Sequence, residues 1–440
     1  MRARLRSEWT WWGAALLGVA AMAWLGLVGF AWSDYDNEAS GAFQALIRGD
    51  VWGFLELAPA YGGSLVLRAP FAAATAALGG GELAVYRAVS IPCLLAVAAL
   101  AIVVVRRMTD RGRSTGARAL VLGLCVANPI TLRALELGHP EELLCAALSI
   151  GAVLAASSRR TLLAAILLGL AIATKAWAVL AIGPVLLALP VRRVFALVVA
   201  GAVTLAVLAP VMLAGSPIAL AHGAGTTGTI FQPWQVFWAL GDAGHVVIGG
   251  DGQPKPDGYR LPPQWASTLT HPLIALLVVP FSLLWLRLRG AAPRVDPEQL
   301  LLLLALLFLL RCVLDPWNVV YYELPFLLAL LAWEALCRPD RPPVLAVACS
   351  ALTWITLVEA PNWLSPDMQC ALFLAWSLPL VAWLARETLW PGDGVGARRG
   401  AERAAMVARG RRVVTHRGDA YGAVRVAACA RPSDEHRGAA

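Results

Sequence analysis

The chain has 440 residues, of which 59% are hydrophobic and only 15% charged, and its mean hydropathy is +0.67. That balance excludes a soluble globular domain and reads as an all-α polytopic membrane protein. The net charge of +8 gives no case for nucleic-acid binding, because much of it lies in short loops and in the last fifty residues, a distribution set by membrane topology.

A helix needs about 20 apolar residues to cross a hydrocarbon core of roughly 30 Å. The apolar runs here are continuous rather than alternating, which excludes a transmembrane β-barrel. Met1-Arg2-Ala3-Arg4-Leu5-Arg6 precedes an apolar run to Trp32 that is longer than a signal-peptide core and leads into no convincing cleavage site. An uncleaved signal anchor is expected.

In chain order, about 12 spans are expected (range 10–13): 10–32, 83–105, 117–136, 141–157, 161–174, 176–190, 194–214, 271–288, 299–314, 318–336, 343–360 and 368–385. Together, residues 1–390 make one transmembrane domain. Under this count Arg2/Arg4/Arg6, Arg106 to Arg118, Arg159-Arg160, Arg192-Arg193, Arg287 to Arg294 and Arg338/Arg341 all fall on one side. The positive-inside rule makes that side cytoplasmic, so the expectation is a multi-pass protein of the plasma membrane with both termini inside. Arg160 and Arg192 share a side only if the segment between them crosses an even number of times. Residues 161–174 then form a helix of about 21 Å, short of the full core and suited to thinning the outer leaflet. One long tilted span is the alternative.

The outer side receives a large first loop, 33–82, and a long loop, 216–270. Residues 51–57 and 64–78 of the first loop are expected as short interfacial helices. Trp32, Trp234, Trp238, Trp265, Trp317 and Trp363 are expected to form an outer aromatic belt. Residues 391–440, rich in Arg, Gly and Ala, are expected to be a disordered cytoplasmic tail attracted to anionic lipid.

Signatures of soluble enzymes are absent: no GxxxxGK[ST], no GxGxxG after a strand, no HExxH. His139-Pro140-Glu141-Glu142 does not have zincin spacing, and without any CxxC pair neither a zinc site nor a disulfide framework is indicated. What stands out is ionisable residues at one depth. An Asp, Lys or Arg at mid-membrane costs about 2.5–3.5 kcal/mol on insertion scales, so such groups usually face partners or a polar cavity. Arg133 and Glu136 end the third span, Glu141 and Glu142 open the fourth, and Lys175 lies between the fifth and sixth. Arg311 and Asp315 close the ninth, and Glu323 sits in the tenth. Most gather on the side of Asp34, Asp36 and Glu38, three carboxylates within five residues of the first loop.

Each has a structural alternative. Arg133–Glu136 at i,i+3 also reads as a local ion pair, and Glu141 and Glu142 as first-turn acids favoured by the helix dipole. Lys175 reads as a snorkelling side chain. Yet only Lys175 and Lys255 are lysines in a chain that otherwise uses Arg, which suggests a need for a compact point charge such as one contacting phosphate.

Three segments carry a resemblance. They are Asp34-Tyr35-Asp36-Asn37-Glu38 through Leu46-Ile47-Arg48-Gly49, Gly138-His139 before the fourth span, and Leu168-Gly169-Leu170-Ala171-Ile172-Ala173-Thr174-Lys175. In this order they resemble the GT-C superfamily of polytopic glycosyltransferases that use polyprenyl-phosphate sugars, in particular its bacterial mannosyltransferase-type family 87. The likeness covers roughly residues 10–190 and, more loosely, Asp315 to Pro325. The chain departs from that family by His-Pro-Glu-Glu where a Gln and an Asn are common.

The resemblance implies transfer of a sugar, mannose favoured over arabinofuranose, from a polyprenyl-phosphate donor to a cell-envelope glycan or glycolipid on the extracytoplasmic face. By position it makes Asp34 the general base, with Asp36 second. Arg133, Lys175 and Arg311 are then candidates for the donor phosphate, and Glu38, His139, Glu141, Glu142 and Asp315 for substrate hydroxyls. Basic side chains can handle a monophosphate leaving group, so no metal is indicated. The rival expectation is a facilitator-type secondary transporter. Against it, such carriers join two six-helix halves by a long cytoplasmic loop, whereas here spans six and seven are separated only by Val191-Arg192-Arg193.

Overall fold

The computed structural model describes residues 2–28, 34–59, 62–215, 230–248, 253–289, 297–338 and 341–390. Trp32, Ser33, Tyr61 and the basic tail 391–440 lie outside them, so the reading of the tail does too. Among the described residues the chain is helical with no β-strand, and nine helices are long and apolar enough to cross a membrane. The protein is an all-α polytopic membrane protein. The expected segments 141–157, 161–174 and 176–190 are also helical, as a 17-residue helix and two shorter apolar ones.

The helices are α1 (Arg2–Val28), α2 (Gly41–Ile47), α3 (Val51–Glu56), α4 (Gly63–Ala77), α5 (Glu82–Asp110) and α6 (Thr115–Val126). They continue with α7 (Pro129–Glu136), α8 (Glu141–Ser157), α9 (Thr161–Thr174), α10 (Ile182–Ala188) and α11 (Arg193–Ala214). After the long loop come α12 (Ala266–Leu276), α13 (Val278–Arg289), α14 (Leu300–Leu314), α15 (Leu324–Cys337), α16 (Val344–Trp354) and α17 (Pro366–Leu389). The third span is broken into α6 and α7 at Asn128-Pro129. Asn128 caps α7 by accepting from the Ile130 amide at 2.9 Å, and its own amide donates to Ser350 at 2.9 Å.

Burial sorts the helices into an inner and an outer set. In Val320–Cys337, 94% of the apolar window is buried, and in Pro297–Leu314, 78%, so α14 and α15 form the centre. In Arg193–Ala214 and Thr268–Arg289 only 17% is buried. A helix apolar on every side fits either place, because protein interior and lipid tails are equally dry.

One end of the bundle is basic and tied together by arginines. Arg107 and Arg111 both bind the Glu298 carboxylate, and Arg107 also donates to Ser158 at 2.7 Å. Arg113 donates to the carbonyls of Arg338 and Arg341, at 3.1 and 2.8 Å, and Arg338 binds Glu387 at 2.5 Å. These contacts fasten the ends of α5, α8, α14, α15 and α17 at one level. The candidate site residues lie at the opposite end of the same helices.

The parity of the middle segment follows from helix packing. Gly169 of α9 meets Ala200, Val203 and Thr204 of α11, with Thr204 Oγ1 donating to the Gly169 carbonyl at 3.0 Å. Four residues further along each helix, Gly63 touches both Ala173 and Leu208. The two helices therefore run in the same direction, and 175–192 returns between them to the basic end. A Cβ at Gly169 would stand 2.5 Å from the Ala200 carbonyl oxygen, so only glycine lets α9 and α11 close this far. Lys175 breaks the helix with extended backbone (φ −149°, ψ 131°), and a 3-10 turn, Ala176–Ala181, leads into α10.

Two expectations for the outer loops change. Residues 51–57 and 64–78 are helical, but α4 buries Ser64, Leu65, Arg68 and Ala72 inside the protein. Trp234, Trp238 and Trp317 do not form a lipid-facing belt. They are at most 7% exposed, and Trp238 and Trp317 pack with Phe231 and Cys370 under the long loop. Ring against ring removes more apolar area from water than an interfacial position would.

Candidate functional site

The site is assembled at four helix breaks. Asp34 lies two residues before the start of a π-helical turn, Asp36–Ser40. His139 lies in the link between α7 and α8, where Gly138 takes the left-handed conformation (φ +87°) that turns the chain and lets the His139 amide donate to Ala134 at 2.8 Å. Glu141 and Glu142 form the first turn of α8, where unpaired amides favour negative charge. Lys175 occupies the α9 break and Arg311 the last turn of α14, where the dipole favours a cation.

These side chains form one continuous polar chain. His139 Nε2 is 3.1 Å from Asp34 Oδ2, and Nδ1 is 2.9 Å from Glu141 Oε1. Glu141 is also bound by Lys175 Nζ at 3.1 Å and by Arg68 Nη2 at 3.5 Å. Lys175 reaches Glu142 at 3.6 Å, and Glu142 faces Trp177 Nε1 at 3.4 Å and Arg311 Nη2 at 4.0 Å. The Arg311 guanidinium lies 4.0 Å from the Tyr322 ring centre and 4.8 Å from that of Trp177. Tyr321 stacks on His139 with centroids 4.1 Å apart and donates to Asp34 Oδ2 at 3.5 Å.

Burial grades along this chain. The Glu141 and Glu142 side chains are 3% and 0% exposed, whereas that of Asp34 is 42% exposed. Asp34 is thus where the buried network meets solvent, and among the described residues its Oδ1 makes no hydrogen bond. A neutral imidazole has one donor, but here both ring nitrogens face carboxylates, which only the imidazolium satisfies fully. Burial disfavours that cation, yet the hydrogen bonds to Asp34 and Glu141 outweigh it and raise the His139 pKa to about 9. Glu38 opens toward solvent with protein around it. That surrounding protein raises its pKa, His139 and Lys175 oppose the rise, and Glu141 and Asp34 add to it.

A histidine whose folded pKa lies above its ordinary value of about 6.5 contributes stability that is complete below that value and lost as pH rises through about 9. Allowing for the exposure of Asp34, the loss is about 2 kcal/mol. Purified wild-type protein is expected to lose thermal stability over that window, and His139→Gln to lack that part of the loss. Identical profiles for the two would show that His139 is not charged in the fold.

Of the ten residues expected from the sequence, Asp34, His139, Glu141, Glu142, Lys175 and Arg311 meet directly. Asp36 begins the π-helical turn two residues beyond Asp34, and Glu38 faces the cluster. Asp315 lies beside it, near His271 at 3.4 Å and accepting from the Trp317 amide at 3.0 Å, a contact that shapes the turn after α14. Arg133 stands apart: it pairs with Glu136 at 2.5 Å, both about one-third exposed, as the local i,i+3 alternative anticipates.

Sequence reasoning missed Arg68, Trp177 and Tyr321. Arg68 is 2% exposed and its Nη1 has no partner among the described residues. A signal for it exists, because Ser64, Leu65, Arg68 and Ala72 share one face of α4, which places the arginine on the apolar stripe. Tyr321 carries no such signal, since its role depends on the α14–α15 turn meeting the α7–α8 link. Among the described residues no group of three or more His, Cys, Asp or Glu side chains is arranged to hold a metal ion. No protein-family model matches the chain, and no curated protein matches it.

Proposed function

We propose that the chain is an integral-membrane glycosyltransferase that moves a sugar, mannose favoured, from a polyprenyl-phosphate donor to a hydroxyl of a cell-envelope glycan or glycolipid. The observation that carries this reading is the Asp34–His139–Glu141–Lys175 chain, a solvent-open carboxylate backed by a buried, cation-rich network at the end opposite the arginines. The short motifs that resemble family 87 support it. By the positive-inside rule the arginine end is cytoplasmic, which puts the site outside the plasma membrane, where lipid-linked sugars are used.

Asp34 accepts the proton of the acceptor hydroxyl as its oxygen bonds to the anomeric carbon. The bond from that carbon to the phosphate oxygen breaks, and polyprenyl phosphate leaves with the electron pair. His139 and Tyr321 hold Asp34 Oδ2, leaving Oδ1 for the proton. Lys175 and Arg311 supply positive charge for the phosphate. They share Glu142, whose Oε2 has no partner among the described residues, so an incoming phosphate competes with Glu142 for both cations and with Glu141 for Lys175. A groove of about 380 Å³, lined by Leu168 and Ile172, Val179 and Ile182, and Leu205 and Leu208, flanks the helix break at Lys175. It suits a hydrocarbon chain.

The test is analysis of cell-envelope glycans with and without the gene. Loss of one mannose or arabinofuranose linkage, restored by the wild-type chain, is the expected result. Unchanged glycans, together with solute uptake by the reconstituted protein without any lipid donor, would establish the transporter instead.

A further inference from the structure

Glu323 lies in the 3-10 turn Val320–Glu323 that leads into α15, and it is 0% exposed. The other buried glutamates are compensated. Glu141, Glu142 and Glu298 face cations within 4.0 Å, and Glu334 accepts the amides of Leu345 and Ala346 at 3.2 and 2.7 Å. Glu323 has no cation at ion-pair distance among the described residues. Its Oε1 accepts a neutral bond from Asn318 Nδ2 at 3.3 Å, the Cys312 thiol is a second neutral partner of the carboxyl group, and Oε2 has no partner by hydrogen-bond geometry among the described residues. Asn318 is held by a second bond, to the Trp234 carbonyl at 2.9 Å, and its Oδ1 also lacks a donor.

We propose that Glu323 is a neutral carboxylic acid in the folded protein and serves as a positioning residue, holding the Asp315–Glu323 turn while leaving Arg311 directed at Glu142. An ionised carboxylate so enclosed and unpaired would bear the full desolvation penalty, and such a group binds a proton instead. That proton converts an orphaned acceptor into a donor, in a pocket where Asn318 Oδ1 also lacks one. It also removes a competitor. Arg311 and Cys312 face Glu323 from α14, and a charged Glu323 would draw the guanidinium away from Tyr322 and Glu142.

The remaining neighbours supply no counter-charge. From α16 the nearby titratable group is Cys349. α7 contributes Arg133 and Glu136, which pair with each other, and α15 contributes Glu334, bonded to backbone, and Cys337 at its far end. Asp315, in the turn itself, is of like charge. The turn that Glu323 holds carries Tyr321, the residue that contacts both Asp34 and His139.

The test uses the full chain purified in detergent, as wild type and Glu323→Gln, and requires no glycosyl-transfer assay. A carboxylic-acid carbonyl stretch is expected in the infrared spectrum of the wild type at neutral pH and absent from Glu323→Gln. Stability supplies the second readout. The folded group keeps a proton that the unfolded chain releases above about pH 4.3, so wild-type stability falls as pH rises and the fixed-neutral variant lacks that fall. The difference in midpoint temperature is expected to move in favour of Glu323→Gln by several degrees between about pH 5 and about pH 8. An unchanged acid band, or a difference that is constant or moves the other way, would overturn the proposal. If Glu323→Gln does not accumulate, Glu323→Asp keeps the infrared test through the altered frequency of its acid band.

Discussion

Asp34→Asn is expected to lower sugar transfer from a lipid-phosphate donor by about 10²–10⁴-fold, the usual range for loss of a general base. Asparagine keeps an oxygen that can accept the His139 Nε2–H bond, so donor and acceptor binding are expected to persist and the loss to fall on turnover. Its effect on folding is expected to be small, because the Asp34 side chain is 42% exposed and the cluster behind it is already compensated by Lys175 and Arg68. Single-turnover transfer in membranes supplied with donor, alongside the thermal midpoint, separates the two effects. Full activity in Asp34→Asn would remove the base role, and Asp36→Asn is the paired control, since Asp36 is not the carboxylate that meets His139.

The second large effect concerns stability. Glu141→Ala is expected to destabilise the protein by about 3–5 kcal/mol, the range for removing one partner of a buried ion pair. Glu141 is 3% exposed and is shared by Lys175, His139 and Arg68, so its removal leaves three cationic groups facing one another without their common anion. Adding Lys175→Met is expected to recover part of the loss, because it withdraws one buried charge. A double-mutant cycle on the denaturation midpoint measures the coupling. Strictly additive losses would mean that Glu141 and Lys175 are not coupled in solution.

Part of this site is legible in the sequence. A carboxylate, lysine or arginine in an apolar run is visible because hydrocarbon has no water to solvate it. Glu141, Glu142, Lys175 and Arg311 stand out for that reason, and four helix ends do bring them together. Arg133 is visible by the same rule but has a partner three residues away, and only packing shows that this pair stays outside the network. Tyr321 and Trp177 were invisible, since an aromatic residue in a membrane span is unremarkable until its hydroxyl, ring or indole nitrogen is seen beside a charge. The aromatic belt is only partly legible for a related reason: Trp363 is 83% exposed, whereas Trp234, Trp238 and Trp317 are buried. Tryptophan suits both an interface and a dry loop core, and the long loop that buries Trp234 and Trp238 is recognised only once folded.

The sequence by itself determined the class of fold, the apolar segments, and the depth at which charges collect. Backbone groups in a bilayer must be satisfied within the segment, so long apolar runs admit little but helix. It also made an even number of crossings between Arg160 and Arg192 the favoured count, because arginines stay on one side. Tertiary structure decided what each charge does. Whether Glu141 serves as first-turn acid, sugar ligand or anionic hub depends on Arg68, Lys175 and His139 arriving from 73, 34 and two residues away. Pairwise electrostatic energies in a dry interior change steeply over a few ångströms, and spacing along a chain does not set such distances.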